Sequence, residues 1–193
     1  MLDDAGVRRS LVRIAHEIVE RTLTATLCKH EGEGFKLFDL SSSEMIAEME
    51  FHLEAPDFSF RELANSLLSV EPKSAFANYL STKNESRGVS TDLRFFKGFI
   101  DLTFRRNGKY YILDWKSNLL SGEQSAFTSS ELPHAMAHSN YLLQYHLYCL
   151  ALNRFLSRTG GDGYSYDENF GGAYYLFIRG MHSPNFQDDG IFF

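Results

Sequence analysis

Two apolar runs, FKGFIDLTFR and KYYILDWK, stand on either side of Asn107-Gly108, and no other feature of this 193-residue chain narrows its fold as much. Asn-Gly is the favoured pair for a two-residue type I′ turn, whose twist matches that of the strands it joins. A loop that short also fixes the pairing. Arg106 then faces Lys109, Arg105 faces Tyr110, and counting back along both strands sets Asp101 directly opposite Asp114. Opposed side chains have Cβ atoms about 4.5–5.5 Å apart, where like charges destabilise. Lys116 shares a face with Asp114 by the two-residue period of a strand and offsets only part of that repulsion. From the residues alone two readings stay open. One is a solvated, self-neutralising ion pair on the open face of a sheet, worth little. The other is a site where both carboxylates hold a divalent cation such as Mg²⁺, which takes oxygen ligands. The flanking Phe99, Ile100, Leu102, Tyr111, Ile112 and Leu113 predict strands buried on both faces, where unpartnered charges are costly.

The rest of the chain punctuates around this hairpin. Leu11, Ile14, Ala15, Ile18 and Val19 fall at helical spacing and predict an amphipathic helix over 8–25. KHEGEGFKLFDLSSS reads as a loop, and residues 44–54 as a strand with Glu48, Glu50 and His52 on one face and Met49, Phe51 and Leu53 on the other. Residues 58–80 look helical in part, and STKNESRGVS reads as a surface loop. A short helix is expected within 128–139, and a long one over NYLLQYHLYCLALNRFLSR, closed by Gly160-Gly161. GAYYLFIRG reads as a last strand. No internal repeat or low-complexity segment interrupts this order.

Length and a hydrophobic content of 44%, with 17 Phe and 10 Tyr, predict one domain with an aromatic core. Cys28 and Cys149 have no metal-type spacing and predict neither a disulfide framework nor a zinc ribbon. No run approaches the ~20 apolar residues of a membrane span, and the N-terminus carries no signal-peptide core, so a cytoplasmic protein without membrane contact is expected. The formal charge of −6 weighs against a free-standing nucleic-acid binder, because phosphate affinity comes mostly from Lys and Arg. A cation-binding site remains compatible with it.

GFIDLTFRRNGKYYILDWKSN resembles the core of the PD-(D/E)XK nucleases, with Asp101 as the first acid and Asp114-Trp115-Lys116 as the D-x-K. YLLQYHLYCLALNRFL adds the Q-x-x-x-Y element of one branch, Gln144 and Tyr148, which stand one helical turn apart. With FGGAYYLFIRG beyond, the order of blocks resembles the RecB-type C-terminal nuclease domains carried by beta subunits of exodeoxyribonuclease V, over roughly residues 44–193. The resemblance implies an α/β fold with a central mixed sheet between helices, and Mg²⁺-dependent hydrolysis of DNA phosphodiesters during end processing for recombination and repair. It assigns the metal to Asp101, Asp114 and the Trp115 carbonyl, and the attacking water or transition-state charge to Lys116. A third acid is expected on the preceding strand, at Glu48, with Glu50 as the alternative. Gln144 and Tyr148 are expected near DNA and metal-bound water. Without the resemblance, two strand glutamates read as a solvated face, and Tyr148 as part of a core stripe with Tyr141, Ala151 and Phe155.

RecB-type domains also carry a metal-ligating histidine near their N-terminus. His16 in RIAHEIVE lacks the expected G-T context and lies too close to the Glu48 strand, so it reads as a surface residue. The expectation is therefore a single nuclease domain over 1–193, a C-terminal fragment of a helicase–nuclease subunit that begins after the true histidine, so that the metal site lacks one ligand and the fragment alone cleaves DNA weakly or not at all. His134 and His138 stand four residues apart but lack the glutamate of H-E-x-x-H and a third ligand. The partners implied are DNA and the other subunits of a helicase–nuclease complex. The competing function is a non-catalytic, nuclease-like module that guides DNA or docks subunits.

Overall fold

A computed structural model of the chain describes residues 9–27, 34–54, 60–70, 72–84, 95–120, 127–138, 141–181 and 189–193. In chain order the elements are α1 (Arg9–Thr24), β1 (Thr26–Leu27), β2 (Phe35–Lys36), β3 (Met45–Glu54), α2 (Phe60–Val70), α3 (Ala75–Asn84), β4 (Phe95–Arg106), β5 (Lys109–Lys116), α4 (Leu132–His138), α5 (Tyr141–Thr159), α6 (Tyr166–Asn169), β6 (Phe170–Phe177) and β7 (Ile191–Phe192). Asn107 and Gly108 take φ of 49° and 77°, the positive values that a type I′ turn requires. The register runs from Arg106↔Lys109 to Leu102↔Leu113, as counted from the two-residue loop.

Five strands follow one another in a single mixed sheet, β3-β4-β5-β6-β7, while β1 and β2 pair with each other. β4 and β5 are antiparallel, β5 and β6 parallel, β6 and β7 antiparallel. A parallel pair needs a long crossover, and the segment joining β5 to β6 carries α4, α5 and α6. This is the mixed α/β architecture that the resemblance implied.

The chain divides into two units. The first comprises Met1–Ala47, Asp101–Pro133 and Phe170–Phe193. Its core gathers Phe35, Phe104, Leu113, Tyr174, Leu176 and Ile191, with Trp115 and Tyr111 packed against it. Phe104 and Tyr111 stack at 5.1 Å between ring centroids across the hairpin, and the Arg106 guanidinium lies 4.7 Å from the Phe35 ring centre. Ile112 and Leu113, on opposite faces of β5, are both fully buried, which is why this stretch reads as an unbroken apolar run.

The second unit comprises Glu48–Ile100 and His134–Asn169. Ala64, Phe76 and Leu80 of α2 and α3 form its helical core, with Leu142 and Leu143 of α5 packed against them. Met49, Phe51 and Leu53 are buried while Glu50, His52 and Glu54 are exposed, the alternation of a half-covered strand. Gly98 admits the Phe51 ring, whose Cζ would lie 2.7 Å from a Cβ at that position.

Several expectations need correction. The helical stretch over 58–80 is two helices, because the Pro72 turn separates Val70 from Ala75, and Ser74 caps the second through the Ala77 N–H at 3.3 Å. α3 continues through Ser81–Asn84, which had read as loop; residues 85–90 of that loop lie outside the described residues. The last strand begins at Phe170 and stops at Phe177. On α1, Leu11, Ile14 and Val19 are about half exposed, so the predicted apolar stripe forms but stays open. Phe99, expected inside, is 48% exposed. β2 fell in a segment read as a loop, and α6 and β7 in stretches given no element. No helix among the described residues is long and apolar enough to cross a membrane.

Candidate active site

β5 presents Asp114 and Lys116 inside the first unit, with side chains only 4% and 8% exposed. Lys116 Nζ meets Asp114 Oδ2 at 2.5 Å. That burial removes the solvated-face reading for this pair, and with it the cheap explanation of why an acid and a base stand two residues apart. A buried ion pair is weak support for stability, because desolvating both charges offsets their attraction. Asp101, half-buried, lies on β4 one residue beyond Leu102, whose pairing with Leu113 is the last in the hairpin register before Asp114. Its Oδ2 accepts the Trp115 N–H at 2.9 Å. Asp101 therefore grips the peptide that follows Asp114, and each opposed carboxylate has a donor of its own.

Backbone contacts pin the end of β5 from the other side. Ile178 N–H donates to the Lys116 carbonyl at 3.0 Å, and Arg179 Nε donates to the Ser117 carbonyl at 2.7 Å. In the parallel register Asp114 pairs with Tyr175 and Lys116 with Phe177. Tyr175 is fully buried, and the Lys116 ammonium lies 5.3 Å from its ring centre. Sequence reasoning missed Tyr175, since only the parallel register of β6 reveals which residue lies beside Asp114.

Two carboxylates on adjacent strands make a hard oxygen donor set. That chemistry fits Mg²⁺, which is held by one or two carboxylates and keeps water or phosphate oxygens in its other positions. The Trp115 carbonyl lies between Asp114 and Lys116 in the chain. Among the described residues, no group of three or more His, Cys, Asp or Glu side chains is gathered.

The other residues singled out from the sequence belong to the second unit. Glu48 and Glu50 are both exposed, but they differ. Glu50 Oε1 takes Lys97 Nζ at 2.6 Å and His52 Nε2 at 3.1 Å, and these partners, Lys97 first, hold its carboxyl below the ordinary value. Glu48 takes φ of 51°, a left-handed conformation in mid-strand that costs a non-glycine residue about 1–2 kcal/mol. On α5, Gln144 Nε2 donates to Tyr148 Oη at 2.7 Å. Tyr148 is buried, its ring edge-on to Phe51 at 5.7 Å and 79°. The Q-x-x-x-Y element is thus a bonded pair whose tyrosine is also a core residue.

His146, His16, His134 and Cys149 are also among the described residues. His146 stacks on Phe76 at 4.2 Å and its Nδ1 donates to the Leu142 carbonyl at 2.6 Å. His16 is exposed on α1, 4.0 Å from Glu20, and His134 is exposed. Cys149 is buried beside Tyr145 and Tyr166, and burial pushes its thiol up to about 11 and the Tyr145 phenol up to about 12.

The family model of the PD-(D/E)XK nuclease superfamily matches residues 3–189. The chain is 39% identical over 160 residues to the RecBCD enzyme subunit RecB of Escherichia coli K12, covering 82% of this chain and 13% of that protein. Against RecB of Haemophilus influenzae it is 35% identical over 160 residues, covering 83% and 12%. Against RecB of Borreliella burgdorferi it is 27% identical over 182 residues, covering 92% and 13%. The chain therefore spans about one eighth of the length of these curated relatives.

Proposed function

Because this chain belongs to the PD-(D/E)XK nuclease superfamily, we propose that it is the nuclease module of a helicase–nuclease, an exodeoxyribonuclease that hydrolyses DNA phosphodiester bonds with Mg²⁺ while DNA ends are processed for recombination and repair. The observation that carries the reading is the buried Asp114–Lys116 pair, with Asp101 bonded to the peptide between them. A buried charged pair that contributes little to stability is explained by chemistry done there. Superfamily members generally use divalent metals. Asp101, Asp114 and the Trp115 carbonyl are the groups that would hold Mg²⁺, which when bound supplies a polarised scissile phosphate and a water of lowered pKa. Lys116 orients the attacking water or offsets the charge that builds on the phosphate, from a position its buried stem keeps fixed.

Glu48 is the third acid in this reading, supported by the strain at its backbone and by the commitment of Glu50 to Lys97 and His52. Gln144 and Tyr148 act as one bonded unit on the DNA side of the reaction. The relatives are named as subunits of the RecBCD enzyme, and by that likeness the chain works beside other subunits of a DNA-processing complex. A cytoplasmic location is part of the same proposal.

The test is cleavage of linear DNA in Mg²⁺ by the full-length helicase–nuclease subunit. Asp114→Ala and Lys116→Ala should each lower the rate by at least about 100-fold, as should EDTA, with the circular dichroism of the variants unchanged. In a polypeptide that also carries a helicase, ATP-driven unwinding should persist. Cleavage retained in either variant would place the chemistry elsewhere. Glu48→Ala should lose activity and Glu50→Ala keep it, and the reverse pattern would assign the third acid to Glu50.

A further inference from the structure

The Lys116 ammonium is buried, and one carboxylate does not surround it. On one side stands Asp114 Oδ2 at 2.5 Å, and the ring centre of Tyr175 lies 5.3 Å away. Tyr175 reaches that place because β6 runs parallel to β5 with Asp114↔Tyr175 in register. The ring has little freedom to leave. It is fully buried and meets Phe192, its register partner on β7, edge-on at 6.5 Å and 71°.

An aromatic face within about 6 Å attracts a cation, and the attraction grows when water is excluded. Unlike an oxygen acceptor, a ring face stabilises the charge without placing a lone pair against one particular N–H. Lysine also carries a four-carbon stem with much rotamer freedom, so a buried ammonium stays in one place only where something fixes it. Asp114 Oδ2 fixes the ammonium from one side, through a carboxylate that the proposed reaction also needs for Mg²⁺. The ring adds a second attraction that takes up no N–H donor.

We propose that the ring of Tyr175 is a positioning element for Lys116, holding the ammonium at the site by a cation–π contact while leaving its N–H donors directed at the attacking water or the phosphate. The inference rests on the nuclease reading above. In it Tyr175 acts through Lys116.

The contact and its consequence are tested separately. In NMR spectra of the chain, assigned by comparison with Lys116→Met, the Lys116 ε-methylene protons should be shifted upfield by the ring in the wild type and in Tyr175→Phe, and should return toward free-lysine values in Tyr175→Leu. Since Tyr175→Leu empties a fully buried site and can unfold the chain, a second variant preserves shape. Pentafluorophenylalanine placed at position 175 keeps the ring and its packing but reverses the charge distribution of its face. Relative to Tyr175→Phe, it should lower kcat for DNA cleavage about tenfold with KM unchanged, whereas a purely structural ring would leave kcat alone. Equal kcat in the two variants, or the absence of a ring-dependent shift on Lys116, overturns the proposal while the nuclease reading stands. A full-length subunit that cleaves no DNA overturns the nuclease reading and this role with it, and the NMR result then shows that failure to be distinct from loss of the contact.

Discussion

Lys116 and Cys149 are both buried, with opposite consequences. A lysine in a strand covered on both faces needs a carboxylate, and its burial beside Asp114 is what motivates the proposed chemistry. A thiol among tyrosines needs nothing. Burial favours its neutral form, so the same physics that makes Lys116 informative makes Cys149 inert. The Cys149 thiol is raised from 9.0 to about 11 in the folded chain. The unfolded thiol ionises first as pH rises, so the stabilising contribution is complete below pH 9.0 and is lost as pH climbs through about 11. Unfolding by urea at stepped pH should show stability falling across that window, by at most about 1.4 kcal/mol per pH unit for one proton. Cys149→Ala should flatten the fall between pH 9 and 10, before the Tyr145 phenol, raised from 10.0 to about 12, begins to contribute. An identical fall in the variant would show that Cys149 ionises as freely in the folded chain as in the unfolded one.

At the scale of elements, the β4–β5 hairpin does most to place the proposed site, because its two-residue turn sets the register that runs to Leu102↔Leu113, next to Asp101 and Asp114. The turn depends on backbone conformation and not on contacts. Gly108 has φ of 77°, and a Cβ there would meet nothing within 4 Å. Gly108→Ala should therefore cost about 1 kcal/mol through the left-handed conformation alone. Gly163→Ala is the control, since its Cβ likewise meets nothing and its backbone needs no positive φ. Denaturant midpoints of the two variants check this, and equal values would mean that the turn is not what limits the hairpin. β6 contributes by register instead. Its parallel pairing brings Tyr175 beside Asp114, and the backbone bond from Ile178 to Lys116 holds the strand end where the reactive side chains emerge.

For the whole molecule, the relevant quantities are charge and cation occupancy. A formal charge of −6 gives little general attraction for a phosphate backbone, so in the proposed reaction DNA is drawn to a local site, and by neighbouring chains, more than by the surface at large. Mg²⁺ binding to the folded chain raises its stability by mass action, about 1.4 kcal/mol at ten times Kd. Thermal unfolding should shift upward in Mg²⁺, return on adding EDTA, and show no shift in Asp101→Asn. A Mg²⁺ shift that survives Asp101→Asn would mean that the ion binds somewhere other than the hairpin.

The sequence by itself determined the parts of this protein whose signals are local. Asn107-Gly108 specified a turn, the turn specified a register, and the register put Asp101, Asp114 and Lys116 in relation to one another. The i to i+4 spacing of Gln144 and Tyr148 likewise predicted a shared helical face, and the structure joins them by a hydrogen bond. What only the tertiary structure decided depends on partners far away in the chain. β2 and β7, two residues each, carry no periodicity to read and exist because β1 and β6 offer them open edges. The same holds for Phe99, apolar in sequence yet exposed, and for Glu50, whose involvement with Lys97 could not be counted from any turn. Tyr175 is the clearest case. A hairpin fixes its register through a loop of two residues, whereas a parallel pair is fixed by a long crossover and the packing around it, so which residue stands beside Asp114 is settled only when the sheet assembles.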